Sequence, residues 1–450
     1  MHSFWNMLPP FIASIKERPL LQRIIKNVGW LLIEKILRIG VSVAVLSYLA
    51  RYLGPEQFGL LNYAIAFVAL FSALASLGLD TIVVRELSRR PEARDLLLGT
   101  TFVLKILGAL IAGLSCLIVL TFIHPEQEVM YWLVSVTALG FIFQVFDVID
   151  LWFQSQVKSS YSAVARSSAF FLIVFVKIAL IYLGASLITF AWAMSLELLL
   201  ASVGLIVAYH VTGKRLTDWT VSIEQAIELL RGSWPLILSG LFIMIYMRID
   251  QVMLAELFGE EEVGVYSVAV RLLEVWHFIP MTVASSTYPS IVSAVNEAGV
   301  FYQRLQRLYN VMTLLGYAAI ITMTLMGSWF IALLFGQEYQ AAAPMLNILI
   351  WSSLFTNLGV ARSSFLMAKN WTRLHTLSVF AGCIINIVLN YILIPSYGGI
   401  GAAIATCVSY WFAAHGFCYV YGPLFKTGNM LTRALILPLG RVYLEHTANK

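Results

Sequence analysis

The sequence predicts an all-α polytopic membrane protein of about twelve transmembrane helices in two six-helix lobes. Three observations predict it: the composition, the spacing of the apolar runs, and the placement of lysine and arginine. Of the 450 residues, 60% are hydrophobic and only 12% are charged, and mean hydropathy is +0.83. Soluble domains lie nearer half apolar and about a quarter charged. A soluble enzyme, a disordered chain and a fibrous repeat are thereby excluded. A membrane-spanning helix needs about 20 apolar residues, so the chain has room for roughly 12 to 14 spans and little else.

Residues 1–27 do not read as a signal peptide: Pro9 and Pro10 interrupt the apolar stretch, and no small-residue cleavage site follows. Phe4, Trp5, Leu8, Phe11 and Ile12, set beside Lys16, Arg18, Arg23 and Lys26, suit a cytoplasmic interfacial helix. Twelve apolar runs follow, at 28–50, 59–79, 96–122, 129–149, 162–183 and 187–208, then 233–257, 266–288, 309–334, 342–365, 374–394 and 399–422. The first six form an N-lobe (28–208) and the last six a C-lobe (233–422), with 209–232 as a cytoplasmic linker. The tail, 423–450, contains Leu431–Leu439, which is too short to span and carries Pro438; it reads as cytoplasmic and interfacial.

The basic residues orient the helices. Arg51 is the one lysine or arginine in the predicted outer loops. The inner segments carry Lys16 to Lys26, then Arg85, Arg89, Arg90 and Arg94, Lys158 with Arg166, Lys214, Arg215 and Arg231, and Arg304 with Arg307. Lys369 with Arg373, and Lys426, Arg433, Arg441 and Lys450 complete the set. This bias places both termini in the cytoplasm and requires an even number of spans. It also accounts for the net charge of +5; no dense basic cluster marks a nucleic-acid surface. Cys116, Cys383, Cys407 and Cys418 all lie in apolar runs without metal-ligand spacing and read as packing residues. Asn370-Trp371-Thr372 matches a glycosylation sequon, but it falls on a predicted inner loop.

An internal repeat is visible. Leu53-Gly-Pro-Glu-Gln-Phe-Gly-Leu-Leu-Asn-Tyr-Ala64 leads into the second run. Leu257-Phe-Gly-Glu-Glu-Glu-Val-Gly-Val-Tyr-Ser-Val-Ala269 leads into the eighth. Phe58-Gly59 aligns on Val263-Gly264 and Ala64 on Ala269. Six helices separate the copies, so both enter the membrane from one side, a parallel repeat about an axis along the membrane normal.

At these residues the chain resembles the Wzx-type oligosaccharide-lipid (O-antigen and polysaccharide) flippases of the multidrug/oligosaccharidyl-lipid/polysaccharide exporter superfamily. The likeness runs from about residue 25 to 422. It is carried by Arg51–Ala64 with Leu77-Gly-Leu-Asp80 and Arg85-Glu-Leu87, by Met247–Leu254 running into Gly264–Leu273, and by Leu334–Tyr339 with Ala342–Leu346. The resemblance implies a MATE-like fold and a polyprenyl-diphosphate-linked oligosaccharide as cargo, moved across a bacterial or archaeal cytoplasmic membrane by ion- or potential-coupled alternating access. It implies membrane lipids and polysaccharide polymerase machinery as partners, and no cofactor or metal. Relatives that flip the peptidoglycan precursor usually carry two more helices, for which this chain has no room.

Charges inside spans cost about 2.5–3.5 kcal/mol each on insertion scales, so each needs a partner, an interface or a wet cavity. Glu34, Lys35 and Arg38 lie in the inner third of the first run, with Glu34 and Arg38 spaced to pair. Gln144, Asp147, Asp150 and Gln154 form one helical stripe. Lys177 and Glu197 each stand alone in apolar runs and suit either a mutual pair or two cavity-lining groups. Arg248 and Gln251 share a face that Asp250 leaves; Arg271 and Glu274 are spaced to pair. Asn357 and Arg362 follow, then Asn386 and Asn390 on one face, and His415. A diphosphate calls for guanidinium or ammonium groups. Arg38, Lys105, Lys177, Arg248, Arg271 and Arg362 are therefore the candidate cationic lining. Asp147, Glu197, Asp250 and Glu274 are candidates for a coupling ion or proton. Gln144, Gln251, Asn357, Asn386 and Asn390 are candidate polar lining. The resemblance weights Arg248 and Asp250 most.

No GxxxxGK[ST] loop occurs, so ATP does not drive this chain directly. No HExxH or nucleophile-elbow motif occurs either, and the reading is not an enzyme. A drug or metabolite exporter of the same superfamily is the alternative, against which the many basic groups weigh. A membrane glycosyltransferase or ligase would need a large outer loop, which the predicted topology lacks.

Overall fold

The computed structural model describes residues 19–369 and 371–436, with side chains from residue 37 onward apart from Ala298. The interfacial stretch before residue 19, the side chains of Glu34 and Lys35, Asn370 of the sequon and the tail beyond 436 lie outside the described residues. The chain forms two compact units, one ending at Ser47 and the other beginning at Tyr48. Among the described residues all regular structure is helical, without a strand. Ten helices there are long and apolar enough to cross a membrane.

In chain order the helices are α1 (Pro19–Leu70), α2 (Ser72–Ser76), α3 (Asp80–Arg89), α4 (Arg94–Ile123), α5 (Glu128–Ala138), α6 (Gly140–Gln144), α7 (Val148–Ser155) and α8 (Ser160–Tyr182). Then come α9 (Leu187–Val211), α10 (Ile223–Phe258), α11 (Glu260–Trp276), α12 (Phe278–Ser293), α13 (Ala298–Leu334), α14 (Ala342–Ala368), α15 (Thr372–Ala414) and α16 (Phe425–Ile436). Two of the long helices are broken. Gly54 interrupts α1 and Gly398 interrupts α15. Both breaks fall in predicted outer loops, so each of these two helices covers parts of two predicted runs.

The Gly54 break has a local cause. Leu53 ends one helix, Gly54 takes φ 73° and ψ 169°, and Pro55 starts the next. A glycine past a helix end followed by proline in the first turn is the expected stop-start chemistry. Gly259, between α10 and α11, takes φ 108° and ψ 166°. It is the residue that the repeat aligns on Gly54, so the two copies share an unusual backbone conformation as well as a sequence.

The copies also touch. A Cβ on Gly59 would lie 1.8 Å from the Glu260 carbonyl oxygen, and one on Gly264 would lie 2.0 Å from that of Pro55. Glu260 is the repeat partner of Pro55, and Gly264 that of Gly59. The contact is therefore reciprocal, as a two-fold relation requires. Only a residue without a side chain permits backbones this close.

Helix limits differ from the sequence reading wherever polar ends extend an apolar run. The predicted linker is partly helical: α10 begins at Ile223, where the Ser222 hydroxyl accepts from the Gln225 amide at 3.3 Å, an N-cap. Hydropathy could not find this turn because it is polar. The run 59–79 is interrupted at Phe71. The run 266–288 is divided at His277, three residues before Pro280. The run 399–422 ends at Ala414, with short turns and α16 after it. In the run 129–149 the helix passes through a 3-10 turn at Val145–Asp147 and continues to Ser155. Neighbouring α9 satisfies the loosened backbone: Ser195 and Ser202 donate to the carbonyls of Val136 (2.6 Å) and Phe143 (2.7 Å). Irregular backbone at membrane depth is tolerated when such partners exist.

Candidate functional site

The buried charges fall into separate groups, and the groups differ between the two halves of the chain. In the first half, Lys105, Arg166 and Lys177 are each paired with an acid. Buried Lys105 on α4 donates to Asp80 on α3 at 2.6 Å. Asp80 opens α3, where an acidic residue favours the helix N-terminus. Arg166 on α8 bridges Asp147 (3.0 Å) and Asp150 (2.9 Å), and Gln154 donates to Asp150 at 3.1 Å. Lys105, Asp80, Gln144 and Asp147 line one small polar cavity of about 70 Å³. The predicted stripe on the fourth run thus faces basic partners from two other helices. Lys177 and Glu197 meet across α8 and α9 at 3.4 Å, the mutual pair left open by the sequence. Arg38 lies in the first compact unit, half-buried.

In the second half, Glu274 on α11 accepts from Arg248 of α10 and Arg271 of its own helix, both at 2.9 Å. This triad carries two positive charges on one negative. Asp250, two residues from Arg248, faces elsewhere, as the helical spacing predicts. It is buried and accepts from the Tyr266 hydroxyl (2.5 Å), the Gln251 amide (2.8 Å) and the Thr406 hydroxyl (3.3 Å). No ion pair reaches it among the described residues. A carboxylate held only by neutral donors can take a proton or a small cation without first breaking a salt bridge.

Arg362 on α14 is 2% exposed. It donates to the Ser378 hydroxyl at 2.6 Å and the Cys418 thiol at 3.5 Å, and no carboxylate pairs with it among the described residues. Asn357, one helical turn and a half before it, donates to the Met312 carbonyl at 3.3 Å. Asn386 and Asn390 hydrogen-bond each other at 3.0 Å inside α15. Gln251 is buried beside Asp250. His415 is packed, as expected, against Thr432 (2.8 Å).

Sequence reading missed a set of contacts that tie the two halves together at the end carrying the predicted outer loops. Arg51 donates to the Leu333 (2.5 Å) and Ala332 (3.3 Å) carbonyls, capping the last turn of α13 with a positive charge. The Tyr339 hydroxyl donates to the Ala50 carbonyl at 2.8 Å. Tyr63 and His124 both reach Glu256, at 2.7 and 2.8 Å. The solitary position of Arg51 among the outer loops was the available signal. Tyr63 lies inside the first repeat copy, but nothing in the sequence links it to His124 or Glu256, which are far from it along the chain. Asp80 stands in the sequence only as part of a motif, and Arg166 only as part of an inner segment. Tyr266 lies inside the second repeat copy and Thr406 in no quoted segment, and nothing in the sequence marks either as a partner of Asp250.

The helix order, the two glycine breaks and the reciprocal glycine contact define a polytopic helical membrane protein with an internal repeat. The solved structures agree on the fold. A multidrug resistance MATE family transporter in its inward-facing conformation superposes with a TM-score of 0.70 at 19% identity, over 88% of this chain and 95% of that one. The lipid II flippase MurJ in an inward closed conformation gives 0.68 at 14% identity, over 92% of each chain. Residues 24–295 match the polysaccharide biosynthesis protein family, and residues 235–392 match the MatE family. The chain belongs to the polysaccharide biosynthesis protein family. A Shigella flexneri protein named for O-antigen transport is 23% identical over 409 residues, covering 85% of this chain and 94% of that protein.

Proposed function

We propose that this protein is a flippase that moves a polyprenyl-diphosphate-linked oligosaccharide repeat unit across the cytoplasmic membrane for polysaccharide assembly. The reading rests on family membership together with one physical observation: among the described residues of the second half, Arg248 and Arg271 share the single acid Glu274, and buried Arg362 has no acidic partner. A cavity meant for an organic cation would carry the opposite balance, so the observation favours this reading over a drug exporter. Both termini lie in the cytoplasm in this reading, supported by the basic inner segments. The halves 28–208 and 233–422 act as the two lobes, with the cationic groups along the path. A polysaccharide polymerase on the far side would consume the product.

Asp250 is the coupling group. It binds a proton or a monovalent cation in one state and releases it in the other. Moving one charge through 100 mV supplies about 2.3 kcal/mol, enough to bias alternating access. The paired acids Asp147, Glu197 and Glu274 are less suited, since their charge is already committed to a base.

The test is translocation in liposomes. Purified protein is reconstituted with a polyprenyl-diphosphate oligosaccharide, with and without pH, sodium and voltage gradients, and the glycan is challenged with an external glycosidase. Gradient-dependent protection that Arg248→Ala and Asp250→Asn abolish is the expected result. Dye efflux without glycan protection would replace this reading with the exporter.

A further inference from the structure

Arg51 and Glu256 occupy the same place in the two repeat copies. Each stands three residues before the glycine of its copy, Gly54 or Gly259. Each also reaches into the other half. Arg51 meets the last turn of α13, and Glu256 meets His124, the residue that closes α4. α4 and α13 carry the third predicted runs of their halves. The two contacts are therefore mates under the repeat, like the glycine crossing beside them. Their chemistry is not the same. A guanidinium keeps its charge at every working pH, whereas a free imidazole changes charge between about pH 5 and 8.

His124 Nε2 lies 2.8 Å from Glu256 Oε1 and 3.0 Å from the Tyr63 hydroxyl, which itself donates to that carboxylate oxygen at 2.7 Å. The hydroxyl has one proton and gives it to Glu256, so both contacts of His124 need a hydrogen on Nε2. A neutral imidazole carries that hydrogen in one tautomer only. The imidazolium always carries it and adds a charge-assisted bond, at a helix C-terminus that favours a cation. The neighbouring titratable groups do not compete for Glu256. Glu260 of α11 and the Cys116 thiol of α4 face Tyr63, and Glu126 and Glu128, both exposed, follow His124 along the chain. The side chains of His124 and Glu256 are 13% and 32% exposed, so protons reach them from solvent. We propose that His124 and Glu256 form a proton-operated clasp between the two halves, with the Arg51 contact as its pH-independent counterpart. The clasp holds the imidazolium, so its contribution is complete below the imidazole range and is lost as pH rises through it. It weakens again where the carboxyl takes up a proton, which for a free glutamate is near pH 4.3, about two units below a free histidine. That this end faces the cell exterior and releases cargo when it opens rests on the functional reading above; the clasp itself does not.

The experiment uses the full-length protein in lipid nanodiscs, with nitroxides on Gln127→Cys and Gln337→Cys, exposed positions at this end of the first and second halves. Cys407, the native cysteine that is not buried, is replaced by serine. Pulsed electron-spin distances are recorded across the imidazole range, about pH 5 to 8, for this parent and for Arg51→Gln, His124→Gln and Glu256→Gln. The ratio of closed to open molecules should fall about tenfold from the acid to the alkaline end in the parent. His124→Gln and Glu256→Gln should each flatten that profile. Arg51→Gln should open the protein at every pH and keep the slope, and it exposes the slope if the parent stays closed throughout. A merely structural His124 would change the amount closed but not its pH dependence. A flat profile in both the parent and Arg51→Gln, or an unchanged slope in His124→Gln or Glu256→Gln, overturns the proposal. Distances that respond to pH in a protein that moves no glycan would sink the functional reading and leave the clasp standing. Glycan transport with a flat distance profile would do the reverse.

Discussion

The two halves of this protein are related by sequence yet treat buried charge differently. In the first half, Lys105, Arg166 and Lys177 each have an acidic partner within 3.4 Å. In the second, Asp250 and Arg362 are more deeply buried than any of those pairs, and among the described residues their partners are hydroxyl, amide or thiol groups. Pairing lowers the cost of a charge at membrane depth, and an unpaired charge is retained only against that cost. The first half thus resembles a scaffold with its electrostatics closed, and the second an open circuit with separate acidic and basic terminals. Where the halves meet, the symmetry survives: Gly54 and Gly259 share a conformation, and Gly59 and Gly264 make the same contact in reverse.

The largest expected effect tests that symmetry. Gly59→Leu and Gly264→Leu each place a side chain where a carbonyl already lies, so each should lower stability by about 3 kcal/mol or more. Thermal unfolding in detergent should show similar losses for both. A loss at one site only would mean that the reciprocal packing is not shared equally.

Glu274→Gln comes next. It leaves Arg248 and Arg271 facing each other without their common acid. Breaking a fully buried pair costs about 3–5 kcal/mol. The side chains here are 19–28% exposed, so about 1–3 kcal/mol is expected once solvent screening is counted. Arg271→Gln made in the same background should restore part of the loss. If it does not, the triad is not acting as a unit.

Asp250→Asn should separate stability from function. It removes a buried ionisable group while its hydroxyl partners can still reach an amide oxygen, so unfolding should shift little. Gradient-driven glycan protection should fall by about tenfold or more, equivalent to about 1.4 kcal/mol of coupling. Retained gradient dependence would remove Asp250 from the coupling step.

The smallest effect is expected in the scaffold half. Replacing Lys177 and Glu197 together by methionine exchanges a pair for apolar packing, which is often neutral, within about 1 kcal/mol. Either single replacement should be worse than the double. Loss of transport in a well-folded double variant would give the first half a share in the path and erase the contrast.

Much of the fold was legible because membrane burial writes itself directly into composition. A span must be apolar over its whole length, and the inner loops must hold the basic residues; both are local properties. The repeat was legible for a related reason. Gly54, Pro55 and Gly59, with Gly259 and Gly264, are dictated by backbone geometry that few other residues satisfy. Polar helix ends were not legible. The first turns of α10 at Ile223 and of α13 at Ala298 lie outside any apolar window, and the divisions at Phe71 and His277 depend on packing.

Individual charges stand out in the sequence, but their roles do not follow from it. Arg271 and Glu274 could be paired from an i,i+3 spacing because one helix carries both. Lys105 with Asp80, Arg166 with Asp147, and Arg248 with Glu274 come from different helices, and sequence distance says nothing of their approach. The sequence by itself determined the solvent of this protein, its helical runs, the positions of its glycine turns and the list of costly charges. Only the tertiary structure decided which of those charges are neutralised. Helix periodicity fixes a side chain's direction about its own axis, whereas a partner within 3 Å depends on how separate helices pack.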